Sequence, residues 1–356
     1  MIAIILVGGQ GTRLRPLTLG LPKGLIPVLN RPFLAYQLDL LKEGGVHDVV
    51  LAAGKHARVW ESALRGVTPK GMRLHFAYEP MPLGTGGAIR FAFDSVDRKK
   101  KITAPVLAFN GDVFFDLDIH AFEAFHVRRK SLCTIALTKV EDPSRFGVVK
   151  TGALGRVHQF IEKPQRPVGT RMVNAGAYVL DPGWLRRIPA DRPVSIERES
   201  FPGTLDRGEP MFGFPMRGYW NDIGTLATYL DAHRDLLASR NRWTGGNYLR
   251  KNGLRLEGKV RFDGRPTLNG RAVIGRGSHI GKNVTLDGFV CLAPGVIVGD
   301  GASLTDVVVL ENSRIGAGVR AQAAIIGRRC RIGANAELKP GAALGDGTIL
   351  TDHTKS

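Results

Sequence analysis

Five separated short stretches of this chain carry glycines, charged residues or both. After the apolar opening MIAIILV comes GGQGTR, residues 8–13, with Lys23 following in LPKGLIPV. Glycines at a strand end let backbone N–H groups approach an anion, and Arg13 and Lys23 add two fixed cations, a combination that suits a triphosphate. The loop is not a Walker A motif, because no Gly-Lys-Ser/Thr closes it. Nor does it complete the dinucleotide fingerprint, because Leu14 stands where the third glycine belongs. The other stretches are GTGGA (84–88), NGD (110–112), IEKP (161–164) and NDIG (221–224). Each has a plainer reading on its own. The Gly8-Gly9 pair is a turn, Asp112 a turn aspartate after a strand, Lys163 a solvated charge, and Asp222 the N-cap of the helix that GTLATYL begins.

The elements that must position these residues alternate over the first two thirds of the chain. Strand-like runs are expected at 3–7, 48–53, 74–78 and 106–109. Helices are expected at 32–41, 56–64 and 86–96, the first with Pro32 in its opening turn and Gly44-Gly45 at its end. Such βαβ alternation predicts a doubly wound, mixed but mostly parallel sheet of Rossmann-like type, with ligands beyond the carboxyl ends of the strands. GGQGTR, GTGGA and NGD fall at such ends.

A different regularity governs the last third. Ile274, Ile280, Leu286, Leu292, Val298, Leu304 and Leu310 recur every six residues. After a break, Ile326, Ile332, Leu338, Leu344 and Leu350 do so again. A period of six is the hexapeptide signature of a left-handed parallel β-helix, whose aliphatic residues point into the axis. About 80 residues then make about four coils, and the break reads as a loop or corner insertion. The expected domains are a catalytic one at 1–235, a basic connecting segment at 236–271 and the β-helix at 272–356.

Composition narrows the function. At 43% hydrophobic and 23% charged residues the chain is globular. No apolar run approaches the ~20 residues of a membrane span, and the first seven residues are too short for a signal-peptide core. Cys133, Cys291 and Cys330 lie far apart, which argues against a disulfide framework or a zinc site and fits a reducing, cytoplasmic compartment. The net charge of +18 raises nucleic acid as a partner. The basic residues are spread along the chain, however. Even the densest stretch, with Arg240, Arg242, Arg250, Lys251, Arg255, Arg261 and Arg271, has no nucleic-acid motif. Polyanionic small ligands account for the charge as well.

The motifs GGQGTRLRPLT, PLGTGGAIR, FNGDVFFDLDI, FGVV, IEKP, VNAGAYVL and GYWNDIG, in that order over residues 1–232, resemble the sugar-phosphate nucleotidylyltransferases. These enzymes join a nucleoside triphosphate to a sugar 1-phosphate and release pyrophosphate, and a hexapeptide β-helix often follows their catalytic domain. The resemblance implies that Gly8, Gly9, Gly11 and Thr12 bind the triphosphate with Arg13 and Lys23, and that Gly84, Thr85 and Gly86 bind the base. It implies Mg²⁺ held by Asp112 and Asp222, a phosphate clamp at Lys163, and a sugar site of Gly147, Glu162, Asn174 and Gly176. One departure is Gly24, where the family has proline after the lysine. The pattern is most similar to the mannose 1-phosphate and heptose 1-phosphate guanylyltransferases. GTP with mannose 1-phosphate is the implied pair, and glucose 1-phosphate with UTP, dTTP or ATP the alternative. A second, acyltransferase activity of the β-helix would need a histidine base, for which only His279 and His353 are available. A non-catalytic regulatory subunit would have lost charged residues that this chain keeps. The β-helix implies homo-oligomers.

Overall fold

The computed structural model describes residues 1–54, 57–238, 242–244, 248–249 and 252–356. Arg240, Arg250 and Lys251, named above, and residue 56, where the second expected helix begins, lie outside the described residues. The chain forms two compact units, Met1–Gly9 with Leu34–Asn221 and Gln10–Phe33 with Asp222–Ser356.

The first unit is built on one sheet. Its strands are β1 Ile2–Leu6, β2 Asp48–Ala53, β3 Arg73–Tyr78, β4 Val106–Asn110, β5 Cys133–Lys139, β6 Gly147–Thr151, β7 Val157–Glu162, β8 Met172–Leu180 and β9 Met211–Pro215. They run in the order β7-β6-β8-β4-β1-β2-β3, with β5 pairing β8 and β9. β1 to β4 are parallel to their neighbours among themselves, while β8 is antiparallel to β4 and β5. Ala3, Ile4, Val50, Leu51, Leu107 and Ala108 are fully buried, as strands covered on both faces require. The helices α1 Phe33–Glu43, α2 Ala57–Leu64, α3 Gly84–Lys100 and α4 Ile119–Arg128 connect the strands. Pro32 does not open α1. It pairs with Pro27, and the N–H of Phe33 donates to Ile26 O, so the helix starts one residue later. At its end the turn closes through Gly45 at φ 73°, and a side chain on Gly44 would run into Ile119.

The second unit is a stack of parallel strands. One six-stranded sheet carries Phe262, Ile280, Val298, Ile315, Ile332 and Leu350 in register. Other rows stack Leu268, Leu286, Leu304, Ala321 and Leu338, and Leu256, Ile274, Leu292, Val309, Ile326 and Leu344. The basic connecting segment expected at 236–271 is corrected here. Strands Leu254–Glu257, Arg261–Phe262 and Thr267–Gly275 already belong to the stack, and the boundary at 235 falls inside a helix, Leu226–Ala238. The break after Leu310 is not an insertion. The faces from Leu304 to Val309 and from Ala321 to Ile326 each hold one residue fewer, with Asp306 (φ 54°) and Ala323 (φ 43°) making tighter corners. Val309 rather than Leu310 therefore occupies the row. His279 bonds Asp263 across a coil, Nε2 to Oδ2 at 2.5 Å. Among the described residues no helix is long and apolar enough to cross a membrane.

Candidate functional site

In the first unit the ends of β1 and β3 meet at Gly8 and Glu79, and Leu83 at the start of α3 bonds Glu79. A Cβ added to Gly8 would stand 3.2 Å from Glu79 Oε1 and 3.5 Å from the Gly54 nitrogen, whereas one on Gly9 would meet nothing within 4 Å. Gly8 therefore lets the chain pass tightly, and Gly9 faces open space. Glu79 follows β3 and accepts the Leu83 N–H at 3.2 Å on Oε2. Burial raises its pKa above the ordinary carboxylate value, and the Leu83 bond offsets this in part. The residues expected to bind the base divide. Gly84 has φ 71°, and a Cβ there would lie 2.6 Å from Val194 O, so only glycine fits. The Gly86 N–H donates to Val194 O at 2.9 Å. Thr85 Oγ1 donates to Glu197 Oε2 at 2.6 Å and accepts from Ile196 N. Those polar groups of Thr85 and Gly86 hold the loop's shape. Glu79, absent from the sequence expectations, has its Oε1 beside Gly8. Its one signal in the sequence is its place between a strand end and PLGTGG.

The sugar-side residues converge on β6, β7 and β8. Gly147 pairs with Glu162 across the hairpin, and a Cβ on Gly147 would press Phe160 Cζ at 2.6 Å and Glu162 Oε2 at 3.0 Å. Lys163, at φ 48°, reaches back to Glu162, Nζ to Oε1 at 3.0 Å, and its N–H donates to Phe146 O. Asn174 spans an irregularity in β8. Its Nδ2 donates to the Tyr178 hydroxyl at 2.8 Å, and its Oδ1 accepts from Gly176 N at 2.9 Å. Both ends of that amide are thus occupied. Gly176 has φ 78°, and a Cβ on it would stand 2.9 Å from Asn110 Nδ2. The Oδ1 atoms of Asn110 and Asn221 are buried without a hydrogen-bond partner. They are acceptors of the kind a sugar hydroxyl satisfies, and the sequence expectations passed over both, although each precedes a marked aspartate. Asp112 sits just beyond β4, where Gly111 N donates to Leu6 O.

In the second unit Arg13, Lys23 and Asp222 come together. Gly11, at φ 58°, starts the short turn Thr12–Leu14, and its carbonyl accepts from Thr18 Oγ1. A Cβ on Gly11 would lie 3.3 Å from Lys23 Cβ. One on Gly224 would lie 3.1 Å from Asp222 Oδ2 and 3.3 Å from an Arg13 terminal nitrogen. Lys23 Nζ is 4.0 Å from Asp222 Oδ1. Asp222 is not the helix cap. Thr225 Oγ1 accepts from Thr228 N and caps Leu226–Ala238, which leaves the Asp222 carboxylate beside the two cations. Gly24 needs no proline to be held. It lies in a right-handed turn, Lys23–Leu25, closed by Leu25 N to Pro22 O and Ile26 N to Lys23 O. The two expected metal carboxylates are divided between the units, Asp112 in the first and Asp222 in the second.

The first unit, a mixed, mostly parallel sheet with glycine loops at its carboxyl edge, is of the nucleotide-binding α/β class. The chain belongs to the nucleotidyl transferase family, whose model matches residues 2–239, and a GMPPB C-terminal domain matches residues 268–355. It is 39% identical over 232 residues to the mannose-1-phosphate guanylyltransferase catalytic subunit beta of Danio rerio, covering 65% of this chain and 63% of that one. It is 35% identical over 294 residues to the mannose-1-phosphate guanylyltransferase of Mycobacterium tuberculosis, covering 81% and 79%. The match thus spans less than two thirds of the Danio relative and more of the bacterial one. Among solved structures, HddC from Yersinia pseudotuberculosis aligns with a TM-score of 0.56 and 27% identity, over 66% of this chain and 98% of that one. HddC has also been solved in complex with GMP-PN.

Proposed function

We propose that the protein joins GTP and mannose 1-phosphate into GDP-mannose and releases pyrophosphate. The observation that carries the choice of base is Glu79. Guanine presents two adjacent donors, N1–H and the N2 amino group, and one carboxylate accepts both. Uracil and thymine offer a single N–H between two carbonyls, which a carboxylate repels, and adenine offers an acceptor. Relatives named as mannose-1-phosphate guanylyltransferases share 35% and 39% identity with this chain, which supports the choice of sugar.

An oxygen of the sugar phosphate attacks the α-phosphorus in line, and pyrophosphate departs opposite. The nucleophile is already anionic, so no general base is needed. The obstacle is charge repulsion, and catalysis is positioning plus neutralisation. In this reading the backbone of Gly8, Gly9, Gly11 and Thr12 cradles the triphosphate. Arg13 and Lys23 neutralise it, and Gly84, Thr85 and Gly86 shape the base pocket around Glu79. Lys163 clamps the sugar phosphate, while Glu162, Asn174, Gly147 and Gly176 form the wall against which the ring lies. Asp112 and Asp222 would hold Mg²⁺. Two hard carboxylates suit an ion that keeps waters and shares phosphate oxygens, and among the described residues no cluster of three metal-ligating side chains competes. When bound, the ion neutralises phosphate charge. We place the enzyme in the cytoplasm as a homo-oligomer formed through the solenoid, whose last coil exposes Ile349 at 67%. Sedimentation at the monomer mass would reject that association.

The test is pyrophosphate release with Mg²⁺ over a grid of nucleoside triphosphates against mannose, glucose, N-acetylglucosamine and heptose 1-phosphates. Signal in the GTP and mannose cell is expected, and signal confined to another cell replaces the substrate pair. Asp112→Ala should abolish turnover with the fold intact, whereas a fully active variant removes Asp112 from the metal site.

A further inference from the structure

The segment that carries Arg13 and Lys23 is hydrogen-bonded beyond Lys23 to helix Leu226–Ala238 and to the parallel-strand stack, and before Lys23 it passes close to the last coils. On the far side of Lys23, the buried Tyr229 hydroxyl donates to Pro27 O at 2.6 Å. Asn30 then locks into the coils. Its Nδ2 donates to Glu257 Oε2 and to Leu292 O, both at 3.0 Å, and its Oδ1 accepts from Cys291 Sγ at 3.4 Å. Asn30 has φ 63°, the left-handed conformation that asparagine and glycine tolerate best. On the near side, a Cβ on Gly345 would lie 3.3 Å from Pro16 Cβ. One on Gly20 would lie 3.3 Å from an Arg328 terminal nitrogen, whose ion pair with Asp346 spans 2.6 Å.

Between these contacts lies the turn Lys23–Leu25, with Leu25, Ile26, Val28 and Leu29 buried at 4% exposure or less. The coils beneath have a core of their own, in which Ile274, Leu292 and Val309 are fully buried. The three polar contacts of Asn30 fix the backbone at a point seven residues beyond Lys23. A cation fixed in advance lowers a barrier because nothing must reorganise when charge moves, and displacements near 1 Å cost up to about 10²-fold in rate.

We propose that Asn30 is a positioning residue for nucleotidyl transfer, pinning the Lys23 turn to the solenoid so that the ammonium is already placed for the triphosphate. The solenoid is then part of the catalytic frame. The proposal rests on the reading of Lys23 as a triphosphate cation, which Lys23→Ala tests separately.

Asn30→Gly keeps the left-handed backbone and deletes all three side-chain contacts. With GTP and mannose 1-phosphate it should lose about 10- to 100-fold in kcat/KM for GTP, with the KM for the sugar phosphate and the unfolding midpoint nearly unchanged. Asn30→Asp should fail similarly, because it sets a carboxylate against Glu257. Adding Glu257→Gln to it restores a donor facing an acceptor and should recover most of the activity. If Asn30→Gly does not fold, Glu257→Ala, which removes one of the three partners of Asn30, takes its place with a smaller loss of the same signature. Wild-type kcat and KM in the folded variant, or equal loss toward both substrates, overturns the proposal. Lys23→Ala inactive beside a fully active Asn30→Gly rejects the positioning role alone. Lys23→Ala fully active rejects the reading of Lys23 itself.

Discussion

At the scale of single residues, Glu79 separates this site from a generic phosphate cradle. Burial lifts its pKa above the ordinary carboxylate range, yet the proposed role needs the ionised form, because only that form accepts two donors at once. Affinity for GTP is therefore present above the raised pKa and lost as pH falls through it. The expected profile is a KM for GTP that climbs on the acid side before an ordinary carboxylate would protonate. In Glu79→Gln that limb should vanish. The amide keeps one acceptor and sets an N–H against the guanine donors, so kcat/KM for GTP should fall about 10- to 100-fold, the worth of a hydrogen bond to a charged group. The measurement is kcat/KM for GTP against pH in both proteins. An unchanged wild-type value in the variant would take Glu79 out of base recognition. The other two acceptors in question, Asn110 and Asn221, lack a partner at Oδ1 and face the same kind of test with sugar epimers.

At the scale of elements, two helices carry buried histidines that titrate against the fold. His126 on α4 bonds Thr134 Oγ1 at 2.9 Å. His233 on Leu226–Ala238 bonds Tyr229 O through Nδ1, while its Nε2 has no partner. Burial pushes both down to about 4. Their folded values lie below the unfolded one, so the unfolded chain binds protons first. Stability is full above about pH 6.5 and declines as pH falls toward 4, by about 3 kcal/mol for each histidine at most. Thermal unfolding across that window should show the decline, and His233→Gln should remove about half of it, leaving the share of His126; a flat wild-type profile would mean that neither ring is held neutral. The elements also show where the sequence spoke clearly. Strand 48–53 matches β2 to the residue, because an unbroken apolar run between polar turns leaves little choice. The solenoid began earlier than its aliphatic count suggested, at Leu256, because Phe262 fills an aliphatic position and charged neighbours mask the phase. Its apparent insertion was a pair of deletions, since a corner that drops one residue shifts every later hexad by one. For the site, the motifs marked the places, but not which polar atoms remain unspent. Thr85 and Asn174 look like ligands in sequence and are bonded internally, whereas Asn110 keeps a buried Oδ1 without a partner. For Thr85 the partner is Glu197, more than a hundred residues away, and no local pattern records it; for Asn174 the partners are near neighbours, but only an irregularity in β8 brings them into reach.

At the scale of the whole molecule, the charge of +18 asks for a partner, and the proposed substrates are themselves polyanions. A cavity of about 480 Å³ in the first unit is lined by Lys139, Arg166 and Arg171 with Asp142, and Asp142 accepts from Ser144 N at 3.0 Å. The three cations are therefore incompletely neutralised where they line a concave surface. Excess positive potential raises the local concentration of anions and speeds encounter, and salt screens it over about 10 Å at 0.1 M. If the charge serves substrate capture, kcat/KM for GTP should fall about tenfold between 0.05 and 0.5 M salt while kcat stays nearly constant, because bound phosphates touch fixed cations at distances too short to screen. Steady-state kinetics across that range decides the matter. A kcat that falls in step would place the salt effect within the bound complex. A kcat/KM indifferent to salt, with duplex DNA retained at 0.15 M, would show that the basic surface serves nucleic acid instead and that the anions in the active site are held by Arg13 and Lys23 alone.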